Sequence, residues 1–146
     1  MISVVRRFVT DFYREVLHDE ETVSEIALAT HELLENTVKY STDGRARLSI
    51  SVGAKPDQIE VRVRTCNEAR LSDVAELERK FDAMANAADA FEHYHAEIRQ
   101  SIAKNEGSGL GLARIHAEAQ MRLALGVQGT RVEITAERWL PLAKMD

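Results

Sequence analysis

The chain has 146 residues, 45% of them apolar and 29% charged, with a formal net charge of -5. This length and composition are typical of one globular domain with a buried core, so we expect a single domain over residues 1–146. The acidic balance argues against a nucleic-acid-binding protein, because phosphate backbones require a surplus of lysine and arginine. No apolar run could span a bilayer, and one cysteine excludes an internal disulfide; we therefore expect a cytoplasmic protein.

The N-terminal part of the sequence predicts two helices. Apolar residues recur at helical spacing from Val5 to Val16, which indicates an amphipathic helix. Thr22 and Glu25 have the spacing of a capping box, and the helix that they begin is expected to reach Tyr40.

The rest of the sequence alternates between strand and helix patterns. Segments 48–52 and 59–63 alternate apolar and polar residues around a breaker cluster, which predicts an antiparallel hairpin. A helical, lid-like insert is expected at about 71–105, with Ser72 or Asp73 capping a segment through Met84 and Asp89 capping another through Ala103. A helix over 110–120 and strands over 121–125 and 131–136 are expected to follow. The order predicts an α+β fold, a two-layer α/β sandwich with helices on one face of a mixed, mostly antiparallel sheet.

Three polar residues share one side of the second predicted helix. Glu32, Asn36 and Lys39 are four and three positions apart, so they point the same way. An amide oxygen one turn from a carboxylate suits Mg²⁺, the carboxylate can act as a general base, and the lysine can contact a phosphate. A helix face exposed to solvent would show the same spacing, so this motif alone leaves both interpretations open.

A glycine-rich segment precedes the helix predicted at 110–120. Gly107, Ser108, Gly109 and Gly111 allow close approach of backbone to a ligand, and the helix start offers unpaired N–H groups to an anion. The spacing is neither the Walker pattern nor the dinucleotide fingerprint. A flexible hinge before a helix would have the same composition.

Together, the two motifs resemble the GHKL superfamily, which includes gyrase-type ATPases, heat-shock chaperones, histidine kinases and anti-sigma-factor kinases. The segment from Glu32 to Ser41 resembles the N-box, and 107–113 resembles the second glycine box. Gly129 and Thr130 resemble the beginning of the closing strand. The resemblance covers nearly the whole chain and implies the Bergerat fold.

The resemblance implies a site for ATP and Mg²⁺. It makes Glu32 the catalytic general base and Asn36 the magnesium ligand. It also implies a cofactor-binding set comprising Asn36, Lys39, Asn67, Gly107, Ser108, Gly109, Leu110, Gly111 and Thr130. Because histidine kinases generally have asparagine at the position of Glu32, the resemblance favours the anti-sigma-factor and serine/threonine-kinase branch.

The sequence departs from the superfamily where the base should bind. An Asp-x-Gly-x-Gly box should follow the strand that ends near Arg64, but the chain has neither aspartate nor glycine over 65–70. Asn67 or Thr65 offers one hydrogen bond there through a side-chain oxygen. The substitution implies a divergent member of the superfamily.

Two classes of function are therefore expected. The first is a bacterial partner-switching regulator that phosphorylates a small antagonist-type (STAS-like) protein, or acts on a sigma factor or response regulator. The alternative is a non-catalytic protein-binding module with a degenerate nucleotide site; a detached histidine-kinase ATPase domain is a third, weaker interpretation. The first helix and an open sheet edge lack an obvious cover, which allows a homodimer.

Overall fold

The computed structural model describes residues 2–103 and 110–141, with side chains over 3–100 and 110–141. The chain forms five helices and four strands in this part. They are α1 (Ile2–Leu17), α2 (Glu20–Tyr40), β1 (Arg47–Ala54), β2 (Gln58–Glu68), α3 (Leu71–Asn86), α4 (Ala90–Ala103), α5 (Gly111–Glu118), β3 (Arg122–Gln128) and β4 (Arg131–Pro141).

Helix α2 begins earlier than the capping-box pattern predicts. Its N-cap is Asp19, whose carboxylate accepts a hydrogen bond from the backbone N–H of Thr22 at 3.3 Å. The hydroxyl of Thr22 also donates to this carboxylate, so it does not act as a cap itself. Aspartate is among the preferred N-cap residues, and its interaction explains the earlier start.

The four strands form one sheet in the order β1-β2-β4-β3. All three pairings are antiparallel, with Val63 opposite Ile50 on one side and Ala136 on the other. The expected sheet was mixed and mostly antiparallel; within the described residues the observed sheet is entirely antiparallel. Strands β1 and β2, and likewise β3 and β4, are joined by short turns, as antiparallel neighbours can be.

The core lies between this sheet and the helices on one of its faces. Val61, Val63 and Ile134 from the sheet are fully buried, as are Ile26 and Leu33 of α2. The opposite face is charged, because alternate strand residues point outward. The predicted α+β two-layer arrangement is confirmed.

Within the described residues, the insert between β2 and α5 consists of two helices, α3 and α4. Neither Ser72 nor Asp73 caps α3, because the helix begins at Leu71 and its N-cap, Arg70, makes no side-chain capping hydrogen bond. The carboxylate of Asp89 accepts hydrogen bonds from the backbone N–H groups of Phe91 and Glu92 at 2.8 and 3.2 Å, which confirms it as the cap of α4. Helix α3 contacts β3, and α4 contacts α5. The insert therefore rests on the same elements that follow it in the chain.

A largely buried ion pair joins the two layers. Arg138 of β4 donates to the carboxylate of Glu25 on α2 and to the carbonyl of Ala119 at 3.2 Å. Only 12% of the arginine side chain and 21% of the glutamate side chain are exposed. This pair fixes α2 and the end of α5 to the sheet.

Candidate functional site

The polar stripe of α2 faces away from the sheet. Glu32 and Asn36 are half-buried and Lys39 is exposed, whereas Leu33 and Thr37 are buried against the core. The Thr37 hydroxyl donates to the Leu33 carbonyl at 2.8 Å, so the inner face of α2 satisfies its polar group within the helix. On the outer face, Glu32 and Asn36 are one turn apart, and Glu32 lies beside α5.

Glu32 lies directly against the first residue of α5. A Cβ atom placed on Gly111 would be 2.6 Å from Oε2 of Glu32, closer than real Cβ contacts. Glycine at this position therefore makes room for the carboxylate. The structure brings together two of the predicted site residues, Glu32 and Gly111, from segments far apart in the sequence.

Arg114 completes this contact and was not predicted from the sequence. Its Nη1 lies 3.5 Å from Oε1 of Glu32, and its Nε donates to Glu118 at 3.1 Å. The hydrogen bond to Glu118 and the nearby carboxylates raise the pKa of Arg114, so the guanidinium stays charged. Arg114 is three residues after Gly111, so both lie on one side of α5. This helical spacing is the sequence signal that could have identified Arg114 as a site residue.

The N-terminus of α5 receives no cap from its own sequence. Leu110 is the N-cap residue and makes no side-chain capping hydrogen bond. The carboxylate of Glu32 instead supplies negative charge beside the first turn, where the helix dipole favours an anion. The predicted loop residues Gly107, Ser108 and Gly109 lie outside the described residues.

Lys39 and Thr130 each contact residues outside the Glu32–Gly111 contact. The ammonium of Lys39 is 5.1 Å from the ring centroid of Tyr40. The Thr130 hydroxyl donates to Oε2 of Glu68 at 2.7 Å, and its carbonyl accepts from the Ala69 N–H at 2.8 Å. Thr130 thus ties the β3–β4 turn to the end of β2.

Two buried polar residues mark the end of β2 where the missing aspartate box should begin. Thr65 is 1% exposed, and its hydroxyl has no hydrogen-bond partner within the described residues. The Asn67 amide donates to the Glu68 carbonyl at 3.2 Å. Asn67 also lines a cavity bordered by Leu34, on the side of α2 opposite Glu32, so the structure does not bring Asn67 into the Glu32–Gly111 contact.

The described residues contain no cluster of three or more His, Cys, Asp or Glu side chains that could hold a metal ion. Mg²⁺ needs fewer protein ligands than such a cluster provides, since it keeps several waters and binds one or two protein oxygens together with substrate phosphates. Asn36 and Glu32 provide such oxygens one turn apart. Among the helices in this part of the chain, none has the length and apolarity to cross a membrane.

Comparison with known proteins identifies the family. A chain in the crystal structure of the SiaB–SiaC complex from Pseudomonas aeruginosa has a similar fold, with a TM-score of 0.66 at 16% identity over 95% of this chain and 83% of that chain. A search of curated protein sequences gives no match. Residues 1–136 match the family described as histidine kinase-like ATPase domain, which confirms the GHKL superfamily recognised from the two motifs. Since this match covers most of its length, the chain belongs to the histidine kinase-like ATPase domain family.

Proposed function

We propose that this protein is a partner-switching regulator that binds Mg-ATP and transfers phosphate to a serine or threonine of a small protein. The observation that supports it most is the junction of α2 with α5, where Glu32 meets Gly111 and Arg114. The carboxylate of Glu32 lies there beside a helix N-terminus, and Asn36 follows one turn later on α2, a combination that suits phosphoryl transfer.

The donor set at this junction fits magnesium and phosphate. Asn36 offers a neutral oxygen to Mg²⁺, and the uncapped N-terminus of α5 offers N–H groups to a phosphate. The missing side chain of Gly111 lets the Glu32 carboxylate lie directly beside that terminus. Lys39 lies one turn beyond Asn36 and would add positive charge.

Each residue then has a distinct task. Bound Mg-ATP would supply the phosphoryl group that is transferred, and its Mg²⁺ would neutralise the negative charge that develops on that group. Glu32 accepts the proton of the attacking hydroxyl at a carboxylate oxygen. Arg114, on the same side of α5 as Gly111, holds the Glu32 carboxylate in place at 3.5 Å. Thr130 and the segment 107–110 are proposed to bind the rest of the nucleotide, whereas Asn67, on the other side of α2, is not assigned to it.

The partner is proposed to be a small antagonist-type (STAS-like) protein. The similar chain of known structure was crystallised in a complex of two proteins, which supports a protein partner here. We place the protein in the cytoplasm, where ATP is available.

Calorimetric titration with Mg-ATP tests the nucleotide site. We expect micromolar binding that is lost with EDTA and weakened at least about tenfold by Asn36→Ala, because a ligand oxygen is removed. Asn86→Ala is the matched control, since this asparagine is exposed at the end of α3. Equal affinities for both variants would contradict the assignment of Asn36.

Transfer of labelled γ-phosphate to the partner tests catalysis separately. Glu32→Gln should lower the transfer rate by roughly a hundredfold or more while leaving Mg-ATP binding near its original affinity. Glu35→Gln, an exposed position on the same helix, should have little effect. Unchanged transfer by Glu32→Gln would remove the general-base role.

A non-catalytic binding module is the second candidate function. The absence of aspartate and glycine over 65–70 favours it, as does the pairing of Glu32 with Arg114, which gives the carboxylate a structural task. Absence of heat on Mg-ATP titration at high protein concentration would support this function, and micromolar binding would exclude it.

A further inference from the structure

A concave surface lies on the side of α2 that faces away from Glu32. It is a cavity of about 740 Å³, within the range of ligand and peptide pockets. Leu34 and Val38 contribute from α2 and stand four residues apart, so they form one stripe of that helix. Leu34 is two positions from Glu32, which places it on nearly the opposite face. We call this cavity the α1–α2 groove.

The floor of the α1–α2 groove is apolar. Val5 of α1, Ala46 and Leu48 join the two α2 residues there. The apolar surface continues beyond the cavity, because Phe8 lies one helical turn after Val5 and is 72% exposed. An apolar surface of this extent on a soluble domain indicates a binding site.

The rim of the groove is basic although the whole chain is acidic. Arg45, Arg47 and Arg131 line it, and Arg6 and Arg7 follow directly after Val5 on α1. Arg45 acts on the nearby carboxylate of Asp43, and Nε of Arg131 donates to Sγ of Cys66 at 3.2 Å. Arg47 forms no salt bridge within the described part of the chain. The cavity lining therefore carries three arginines against two carboxylates, Asp43 and Glu68, and this local surplus of positive charge on a protein of net charge -5 favours an anionic partner.

The two carboxylates at the rim are already engaged. Asp43 accepts hydrogen bonds from the Ser41 hydroxyl at 3.0 Å and from the Arg45 N–H at 2.9 Å. Glu68 accepts from the Thr130 hydroxyl at 2.7 Å. These acids therefore hold the loops around the groove through hydrogen bonds, and the guanidinium of Arg47 is available to an anionic partner.

We propose that the α1–α2 groove docks an acidic segment of a protein partner, with one bulky apolar side chain seated on the floor and carboxylates at the arginine rim. A second copy of this chain is disfavoured as the occupant through its exposed α1 stripe. Phe8 of that copy would bring Arg6 and Arg7 against the same arginines. The inference rests on the proposed function only in requiring a protein partner, and it needs neither ATP nor phosphate transfer.

Selection of a random peptide library, with peptides of about twelve residues, against the full chain tests the proposal. The selected peptides should combine aspartate or glutamate with leucine, phenylalanine or tryptophan, and their affinity should fall as salt is raised. By fluorescence anisotropy, Arg47→Glu and Val38→Ser should each weaken binding by about tenfold. Arg79→Glu and Leu71→Ser are matched controls, because both residues are exposed on α3, and should change affinity less than about twofold.

Three results would overturn the proposal: no enriched acidic peptides, enriched peptides that bind Arg47→Glu and Val38→Ser as well as the original chain, or displacement of the peptides by Mg-ATP. Sedimentation of the same variants adds a fourth, since a dimer that dissociates on Arg47→Glu or Val38→Ser would make a second copy the occupant. Thermal melting of each variant establishes that it is folded, with Arg47→Gln available if charge reversal unfolds the chain. Failure of Mg-ATP binding with peptide binding intact would reject the proposed function alone.

Discussion

Replacing Gly111 by alanine tests the contact between α2 and α5 most directly. The new Cβ would lie 2.6 Å from Oε2 of Glu32, so the carboxylate must withdraw by roughly half an ångström. The backbone of Gly111 is not in the left-handed region, which means that alanine is conformationally acceptable there. All the strain therefore falls on one flexible side chain.

The opposing energies can be set side by side. Alanine in place of glycine within a helix stabilises by up to about 1 kcal/mol. Moving Glu32 off its preferred rotamer costs about 0.5–1.5 kcal/mol, and weakening its half-exposed pair with Arg114 costs less than about 1 kcal/mol. We expect Gly111→Ala to leave the free energy of unfolding within about 1 kcal/mol of its original value.

Urea denaturation of a double-mutant cycle separates these terms. With Glu32 already replaced by alanine the strain is absent, so Gly111→Ala should stabilise that background by up to about 1 kcal/mol. Gly53→Ala is the matched control, because nothing lies within 4 Å of its Cβ position and no coupling to Glu32 is expected. A coupling energy between Gly111→Ala and Glu32→Ala that is zero within error would refute the reasoning. If the proposed function holds, Gly111→Ala should also weaken Mg-ATP binding by about tenfold in calorimetry, since a displacement of this kind perturbs the site.

Three further measurements test the packing. Burial raises the pKa of Tyr13 to about 12, so the unfolded chain loses that proton first. Stability should fall by roughly 2–3 kcal/mol between about pH 10 and 12, and Tyr13→Phe should abolish this component of urea denaturation measured at stepped pH. Arg138→Met should cost about 2–4 kcal/mol by leaving Glu25 buried without its partner, whereas Arg138→Met combined with Glu25→Met should recover much of the loss; additive costs would contradict this. Asp19→Ala should destabilise by about 1 kcal/mol in thermal melting through loss of the α2 cap, and no change would show that the cap is dispensable.

Hydrophobic periodicity was sufficient to predict most of the fold. The alternation around Ile50 and Val63 gave the hairpin, and the structure pairs these two residues directly. Asp89 was identified as a cap because it directly precedes a helical pattern and aspartate is among the residues preferred at the N-cap. The ends of elements were harder to predict. The pattern after Ala136 no longer alternates cleanly, yet β4 continues to Pro141 because its neighbour β2 is long enough to pair with it.

The site residues that could be predicted from the sequence are those that lie close together along the chain. Glu32 and Asn36 were identifiable because helical spacing alone places them together. Arg114 was not, because its contact with Glu32 depends on how α5 is laid beside α2, which the sequence specifies only through the packed core. Asn67 shows the same limit in the opposite direction. It is close in the family pattern to the nucleotide, but strand alternation turns it toward Leu34, on the other face of α2. A single helix thus separates the Glu32–Gly111 contact from the α1–α2 groove. One face presents Glu32 to the start of α5, and the other forms the floor of the α1–α2 groove. A partner docked in the groove would press on the helix whose opposite side holds the candidate general base.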